Sequence, residues 1–331
     1  MSTREATHYQ ILPDGKVLCT LCPHGCRLAE GEAGRCRGRV ARGRKLYAAN
    51  YGRVSALALD PIEKKPLYHF YPGAMILSVG TVGCNLSCQF CQNWELSQDE
   101  VETEKFSPAQ LVELAVGLQE KGNIGLAYTY SEPLVWFDFI LETARLAKKE
   151  GLKNVLVTNG YINPQPLAEL LPYFDAVNLD LKGPDAFYRK HCGGRLDPVL
   201  KTAGRLAAEV HLEVTSLLIP GENDQPAAIK TLTAFLAGLD RKIPLHFSRY
   251  FPRYRMAIPP TPLATLEEAY RIARAELPYV YLGNIAEAGY SSTYCPRCGA
   301  MLVEREAFRV RTDGIKEGCC ARCGEEVDFV L

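Results

Sequence analysis

The sequence predicts an α/β protein built as an incomplete (β/α)6 barrel of the TIM type, with a small cysteine-rich attachment at each end. Two observations predict this fold: short apolar strands alternate with helical patterns through the middle of the chain, and cysteines cluster near both ends. Alternating strands and helices favour a parallel sheet with right-handed crossovers. An open, doubly wound sheet is the alternative. In either fold the active site is expected at the carboxyl ends of the strands.

The cysteine clusters divide the chain into three predicted parts. These are a metal-binding N-terminal region at 1–70, the barrel at 71–290 and a second cysteine-rich domain at 291–331. The six predicted strands are 75–79, 124–128, 154–158, 176–181, 211–219 and 244–247. Helices are predicted between the strands, for example at 136–150 and 227–238. Each strand should therefore deliver its following loop to one shared edge of the sheet.

Composition excludes several classes of function. Of 331 residues, 47% are hydrophobic, which suffices for one large packed domain. Thirty-eight basic residues balance thirty-eight acidic ones, so no nucleic acid or anionic membrane partner is expected. No apolar run is long enough to cross a membrane, and residues 1–5 lack a signal-peptide core. We therefore expect a cytoplasmic protein whose thirteen cysteines bind metals rather than form disulfides.

Three cysteines follow the first predicted strand in one short loop: Cys84, Cys88 and Cys91. A four-iron cluster normally takes four cysteine ligands, so three leave one iron open. Catalytic zinc sites likewise keep one position open for a reacting partner. A zinc knuckle or three buried thiols are the alternatives. The triad predicts a cluster at which chemistry takes place.

Four cysteines near the C-terminus form two Cys-x-x-Cys knuckles, each followed by glycine. They are Cys295, Cys298, Cys320 and Cys323. Paired knuckles are typical of a tetrahedral structural zinc ribbon. A rubredoxin-like iron site is the alternative, and Cys319 is predicted to be a spare thiol. We expect zinc in this C-terminal ribbon.

Four further cysteines lie near the N-terminus: Cys19, Cys22, Cys26 and Cys36. Four thiolates can close around one zinc ion or hold a second iron–sulfur cluster. Structural zinc is the preferred interpretation, and an auxiliary cluster is the alternative. Only Cys192 stands apart from the clusters.

Polar residues at the ends of the predicted strands are candidates for the site. After the second strand come Thr129, Tyr130 and Glu132, whose backbone carbonyls and carboxylate can accept hydrogen bonds from an ammonium group. A plain turn before Pro133 is the alternative. On the fourth strand, Asp180 and Lys182 share one face because side chains alternate along a strand. A simple ion pair is the alternative for these two residues.

Three other strand ends carry weaker candidates. Asn159 follows the third strand, although Asn-Gly is equally a turn. Thr215 lies on the fifth strand and His246 on the sixth, where buried polar groups require partners. A satisfied core histidine is the alternative for His246.

The loop of Cys84, Cys88 and Cys91, with Phe90 just before the last cysteine, resembles the signature of the radical S-adenosylmethionine (SAM) enzymes. Asp180-x-Lys182 and Asn93 resemble the glycyl-radical activating enzymes, which include the pyruvate formate-lyase activator. The resemblance implies a radical SAM barrel in which SAM binds the open iron of a 4Fe–4S cluster. Reductive cleavage then gives methionine and a 5′-deoxyadenosyl radical.

The same resemblance implies a role for each candidate. Phe90 would pack near the adenine, Asn159 near the ribose, and Thr129, Tyr130 and Glu132 around the SAM amino group. Asp180 and Lys182, the predicted catalytic pair, would meet a polar substrate and the SAM carboxylate; Asn93, Thr215 and His246 are further cofactor-binding candidates. Thr129, Tyr130 and Ser131 stand where glycines are usual in the family.

Several longer runs resemble one group within the family, the radical SAM component of the AmmeMemoRadiSam system. They are 21–24, 60–67, 69–73, the cysteine loop and the C-terminal ribbon. This resemblance implies an association with Memo-like and AMMECR-like proteins, and a reductant such as flavodoxin or ferredoxin. It leaves a protein and a small-molecule substrate equally open. A glycyl-radical activating enzyme is one alternative, and a zinc-rich module that binds RNA or protein is another.

Overall fold

Short antiparallel strands make up the beginning of the chain in the computed structural model, which describes residues 4–287, 289–306 and 309–331. Residues 1–3, part of the segment from which we predicted the absence of a signal peptide, lie outside these ranges. The strands are β1 (Tyr9–Ile11), β2 (Val17–Cys19), β3 (Arg27–Leu28), β4 (Arg39–Arg42), β5 (Lys45–Ala48) and β6 (Arg53–Val54). The first three pair with one another, and β4 pairs with β5. This region holds Cys19, Cys22, Cys26 and Cys36.

An open, mostly parallel sheet forms the centre of the molecule. Its strands are β7 (Ala56–Pro61), β8 (Met75–Gly80), β10 (Asn123–Tyr128), β11 (Lys153–Thr158), β12 (Ala176–Asp180), β13 (His211–Leu218), β14 (Leu245–Arg249) and β15 (Val280–Gly283), while β9 (Glu104–Lys105) pairs with β6. The order is β15-β14-β13-β12-β11-β10-β8-β7, and only β7 runs antiparallel to its neighbour. The predicted parallel α/β architecture is therefore confirmed, and the sheet does not close.

Helices connect the parallel strands. They are α1 (Trp94–Gln98), α2 (Pro108–Gly117), α3 (Phe137–Lys149), α4 (Pro164–Leu170), α5 (Asp185–Phe187), α6 (Leu196–Glu209), α7 (Pro226–Leu239) and α8 (Leu263–Arg274). Ser107 is the N-cap of helix α2. Its hydroxyl accepts a hydrogen bond from the backbone N–H of Gln110, and the Gln110 side chain accepts one from the backbone N–H of Ser107. This capping box satisfies two N–H groups at the helix end. In the described part of the chain, no helix is both long and apolar enough to cross a membrane.

The segment after β7 covers part of one face of the central sheet. Ile62, Leu67 and Phe70 pack with apolar side chains of the neighbouring strands, including Val155 and Ala176. The predicted boundary at residue 70 thus falls after β7, a strand that already belongs to the central sheet. A cavity remains at the carboxyl ends of the strands.

The C-terminal region packs beneath this segment. Its strands are β16 (Thr293–Tyr294), β17 (Met301–Glu306), β18 (Arg309–Arg311), β19 (Ile315–Lys316) and β20 (Cys319–Cys320). Val330 exchanges backbone hydrogen bonds with His69 and Tyr71, each 2.8 Å long. The buried guanidinium of Arg305 lies 4.3 Å from the ring centre of Tyr68. These contacts attach the ribbon to the amino-terminal side of the sheet.

Candidate active site

A cavity of about 400 Å³ lies where β8, β10, β11, β12 and β13 end. It brings together the predicted cysteine triad and all of the predicted catalytic and cofactor-binding residues except His246: Cys84, Cys88, Phe90, Cys91, Asn93, Thr129, Tyr130, Glu132, Asn159, Asp180, Lys182 and Thr215. These residues lie far apart in the chain. Parallel strands gather them because all of their carboxyl ends meet at one edge of the sheet.

The loop after β8 carries the cysteine triad. Cys88 is buried, and Cys84 and Cys91 are half-buried. The Leu86 N–H points at Cys84 Sγ over 3.4 Å, and the hydroxyl oxygen of Ser97 lies 3.8 Å from Cys91 Sγ. The loop begins at Gly83, whose φ of +96° suits glycine. A Cβ there would collide with the carbonyl oxygen of Cys36, so glycine is required.

The three thiols are less tightly grouped than the cysteines of the C-terminal quartet. Among the described residues, three or more cysteine, histidine or acidic ligand atoms lie mutually within 4.8 Å only in that quartet. Each cysteine of a 4Fe–4S cluster binds a different iron, so such a cluster does not require one compact group of sulfurs.

Glu132 is a buried carboxylate at the wall of the cavity. It accepts hydrogen bonds from the Thr158 hydroxyl at 2.6 Å, from the Asn159 N–H at 2.8 Å and from the Leu134 N–H at 3.0 Å. Burial nevertheless raises the pKa of Glu132 to about 7, because the hydrogen bonds only partly offset desolvation. A cation placed beside this carboxylate would favour its ionised form.

Tyr130 adopts a left-handed backbone conformation with φ of +70°. This conformation is costly for a residue other than glycine. The carbonyl oxygen of Tyr130 accepts from Asn93 Nδ2 at 2.7 Å, and its hydroxyl donates to Asp60 over 2.7 Å. These two contacts hold the turn at Tyr130 in this conformation.

One charged cluster at the cavity was not predicted from the sequence. It consists of Asp60, Lys64 and Lys65. Asp60 accepts from Lys64 at 3.0 Å and from Lys65 at 2.9 Å, and both lysines line the cavity. Burial opposes ionisation of Asp60, but the hydrogen bonds from Lys65, Tyr130 and Lys64 hold its pKa well below the usual range. In the sequence, the run 60–67 indicates only a resemblance to one group of radical SAM proteins. The lysine pair that follows Asp60 within this run is the feature that could have predicted the charged cluster.

Asp180 and Lys182 form an ion pair at the end of β12, with Nζ 3.0 Å from Oδ2. Lys182 is largely buried, whereas 41% of the Asp180 side chain is exposed. Burial alone would lower the pKa of Lys182, but Asp180 and Cys88 raise it well above the usual value. Lys182 is therefore a fixed positive charge beside a cysteine of the triad.

The remaining candidates, Asn159, Thr215 and Phe90, contact neighbouring side chains. The side chain of Asn159 donates to Asn85 Oδ1 at 2.9 Å and lies 3.7 Å from Cys84 Sγ. The Thr215 hydroxyl donates to Asn178 Oδ1 over 3.0 Å. Phe90 is buried, with its ring centre 5.4 Å from that of Phe187.

His246 does not line the cavity. Its Nε2 lies 2.6 Å from a carboxylate oxygen of Glu213, and its ring packs against Tyr68 and Tyr281. Glu213 is fully buried and also accepts from the backbone N–H of His69 at 2.7 Å. This arrangement corresponds to the alternative of a satisfied core histidine.

Cys192 contacts the cysteine loop of the site, although its isolated position in the sequence did not predict this contact. It ends the π-helical segment Tyr188–Cys192, and its carbonyl oxygen accepts from the Ser87 N–H at 2.8 Å. The buried thiol also hydrogen-bonds with Cys88, which lowers the pKa of Cys88. The segment that ends at Cys192 thereby holds the cysteine loop at Ser87 and Cys88.

The C-terminal quartet is a separate group outside the cavity lining. The sulfurs of Cys295 and Cys323 are 3.7 Å apart, as are those of Cys298 and Cys320. Four sulfurs bound tetrahedrally to one ion at 2.3 Å would lie roughly 3.8 Å apart. The quartet therefore has the geometry for a single metal ion, and Cys319 lies outside it.

Comparisons with known proteins agree with this site. A family model described as the Radical SAM superfamily matches residues 78–232, which include the cysteine triad. An uncharacterized protein of Methanocaldococcus jannaschii is 43% identical over 338 residues, covering 99% of this chain and all of the relative. Pyruvate formate-lyase 1-activating enzyme of Escherichia coli is 26% identical over 160 residues, covering 46% of this chain and 65% of that enzyme.

A solved structure shows the same fold. Streptococcus suis SuiB bound to S-adenosylmethionine matches with a TM-score of 0.52 and 16% identity, covering 63% of this chain and 52% of SuiB. The superfamily includes activating enzymes, cyclases and synthases. The family match therefore shows a radical SAM superfamily domain at residues 78–232, and part of the chain is similar in sequence to a pyruvate formate-lyase activating enzyme.

Proposed function

We propose that this protein is a radical SAM enzyme whose cluster is held by Cys84, Cys88 and Cys91. The observation that carries this proposal is the cysteine triad at the mouth of a cavity formed by the strand ends. When bound, the 4Fe–4S cluster and SAM supply reductive cleavage of SAM to methionine and a 5′-deoxyadenosyl radical. The protein binds the reactants, orients them and excludes water.

The buried carboxylate of Glu132 is the proposed acceptor for the SAM ammonium group. Burial raises the pKa of Glu132 more than its hydrogen bonds and Lys182 lower it, and a bound ammonium group would favour the ionised carboxylate. The backbone carbonyls of Thr129 and Tyr130 lie beside it and supply further acceptors. Asn93 acts by holding the turn at Tyr130. Recognition of the ammonium group thus depends on one carboxylate and a strained turn.

Lys182 is the proposed partner for the SAM carboxylate. It is a buried cation next to Cys88, and Asp180 keeps it protonated. Asp180 itself is partly exposed to the cavity and can contact a polar substrate. Phe90 offers an apolar surface for the adenine, and Thr215 adds a hydroxyl near the cavity floor.

Anaerobic turnover tests the proposal. The cluster is reconstituted, SAM and dithionite are added, and 5′-deoxyadenosine is measured by chromatography. We expect product from the unmodified chain and from Cys319→Ala, a control outside the triad and the C-terminal quartet. Cys88→Ala should give none. A variant Cys88→Ala that turns over as fast as the unmodified chain would refute the assignment.

A second candidate function is activation of a glycyl-radical enzyme. The observation that favours it is the similarity to the activating enzyme of Escherichia coli, together with Asp180 and Lys182 at the cavity. The substrate would then be a glycine of a partner protein. Hydrogen exchange from a deuterated glycine into 5′-deoxyadenosine would distinguish this substrate from a small molecule.

We further propose that the chain is the radical SAM component of an AmmeMemoRadiSam system, working in the cytoplasm with Memo-like and AMMECR-like proteins. The runs at 21–24, 60–67 and 69–73 support this proposal. The electron donor would be a flavodoxin or ferredoxin. Zinc is the proposed ion of the C-terminal quartet because its sulfur spacing suits one tetrahedral ion. Co-purification with the two partners and metal analysis test these points.

A further inference from the structure

We propose that Cys19, Cys22, Cys26 and Cys36 hold a second iron–sulfur cluster, which delivers electrons to the active-site cluster. We call these four residues the N-terminal quartet. Its role as an electron donor rests on the proposed function, because it requires a cluster at Cys84, Cys88 and Cys91. Its metal content does not depend on that proposal.

The sulfurs of the N-terminal quartet are less tightly grouped than those of the C-terminal quartet. In the C-terminal quartet all four sulfurs lie within 4.8 Å of one another, and two pairs are 3.7 Å apart. Within the described ranges no three sulfurs of the N-terminal quartet meet that limit. The active-site triad does not meet it either. A single tetrahedral ion requires the tight arrangement, whereas a cluster that binds each cysteine to a different iron does not.

The four thiols nevertheless form one group. The Cys19 N–H donates to the carbonyl oxygen of Cys26 over 2.9 Å, which closes the loop that carries Cys22. A Cβ built at Gly34 would lie 3.9 Å from the sulfurs of both Cys26 and Cys36. Cys19 and Cys36 are buried, and Cys22 and Cys26 are half-buried. The group therefore has a buried side and a side that solvent or a donor protein can approach.

The buried side of the quartet packs directly on the loop of the active-site triad. The carbonyl oxygen of Cys36 occupies the space beside Gly83, the residue that precedes Cys84. On the other side of the quartet, His24 Nε2 lies 2.7 Å from the carbonyl oxygen of Asn85. Residues of the quartet region thus contact the triad loop on both sides of Cys84.

Two arginines that flank Cys36 extend this contact. Arg35 donates to the Ser87 hydroxyl over 3.3 Å, and Arg37 donates to the carbonyl oxygen of Ser97 over 2.8 Å. Ser97 is the residue whose hydroxyl lies next to Cys91 Sγ. The segment that carries the N-terminal quartet therefore contacts the cysteine loop at Gly83, Asn85 and Ser87 and helix α1 at Ser97.

This arrangement provides a route for one electron. A one-electron donor protein reduces the cluster of the quartet at its half-buried side. That cluster then loses one electron, and the active-site cluster gains it. No covalent bond forms or breaks in this step, and the donor protein supplies the net reducing equivalent.

Metal and sulfide analysis of the unmodified chain is the first test. After anaerobic reconstitution we expect about eight irons and eight sulfides per chain, besides one zinc in the C-terminal quartet. The triad-free variant, Cys84→Ala/Cys88→Ala/Cys91→Ala, should keep about four irons and an electron paramagnetic resonance (EPR) signal after reduction. Cys319→Ala is the matched control and should keep all eight.

A different metal content would overturn the inference. Four irons and two zinc ions in the unmodified chain, with an iron-free triad variant, would assign zinc to the N-terminal quartet. Because the unmodified chain is measured directly, this result does not depend on whether a variant folds. Failure of the proposed function looks different: Cys19→Ala/Cys36→Ala would then bind no iron, because the triad would hold none.

The choice of reductant tests the electron route. Cys19→Ala/Cys36→Ala should keep the EPR signal of the active-site cluster and should cleave SAM with dithionite, a small reductant that reaches that cluster directly. With a flavodoxin as donor, we expect its SAM cleavage to fall at least tenfold. Equal rates of this variant and the unmodified chain with flavodoxin would overturn the electron-transfer role.

Discussion

Replacement of Glu132 by glutamine should weaken SAM binding by removing the only charge proposed to meet the ammonium group. A hydrogen bond to a charged partner contributes about 1.5–3 kcal/mol, so the Kd for SAM should rise roughly 10- to 150-fold. Glutamine keeps the size of the side chain, and its one oxygen can still accept from Thr158 and Leu134, whereas its NH2 group cannot accept from the Asn159 N–H as Glu132 does. Glu113→Gln, on the exposed face of α2, is the matched control and should bind SAM normally.

The pH dependence of SAM binding also tests the role of Glu132, because its raised pKa predicts the direction in which the Kd changes with pH. Burial raises the pKa of Glu132 to about 7. Below that pH the carboxyl group is increasingly protonated and neutral, so the Kd should rise about tenfold per pH unit. Above it the carboxylate is ionised and the Kd should level off. Titration calorimetry with the reconstituted protein between about pH 6 and pH 8 measures both limbs of this curve.

Glu132→Gln has no ionisable group at this position and should lose the pH dependence. Two results would refute the reasoning. One is a Kd of the unmodified chain that stays constant across this range. The other is a glutamine variant that binds SAM as tightly as the unmodified chain does at high pH.

Three further changes have defined outcomes. Gly83→Ala should lose the active-site cluster and more than about 1 kcal/mol of stability, measured by iron content and thermal unfolding, because its Cβ meets the Cys36 carbonyl at a positive φ. Arg39→Met leaves Asp138 buried without its partner at 2.8 Å, so urea denaturation should show a loss of about 3–5 kcal/mol. Cys298→Ser should release the single ion of the C-terminal quartet and lower the Tm while the iron content stays constant.

Each of these outcomes has a control. Gly117→Ala, in a helix with no neighbour near the added carbon, should be stabilising or neutral, so an equal loss in both glycine variants would contradict the steric argument. An unchanged unfolding free energy for Arg39→Met would show that the ion pair with Asp138 is not required. Loss of iron from Cys298→Ser would place an iron centre in the ribbon.

The central sheet could largely be predicted from sequence because its strands are buried apolar runs between helical patterns. The six predicted strands correspond to β8 and β10–β14. Two strands were missed. β7 is an edge strand whose residues are mostly only partly buried, and β15 has only four residues, so neither has a strong apolar pattern. Edge strands provide a weaker sequence signal because one side pairs with nothing.

The site could be predicted where its residues are close in sequence or stand at strand ends. The triad, Glu132, Asp180 and Lys182 all meet these conditions. Asp60 does not meet them, because it lies seventy residues before Tyr130 in the chain and only the fold brings the two together. The strand pattern that predicts His246 as a candidate does not show how far along the sheet the cavity extends. The packed segment that holds Phe70 decides that limit.

The central claim is that SAM binds an open iron at Cys84, Cys88 and Cys91. Electron paramagnetic resonance of the reduced, reconstituted protein, recorded with and without SAM, tests it most directly. We expect SAM to change the EPR signal of the cluster held by these three residues. We also expect this signal to be missing in Cys88→Ala. A signal that SAM leaves unchanged, or one that persists fully and responds to SAM in Cys88→Ala, would contradict the account.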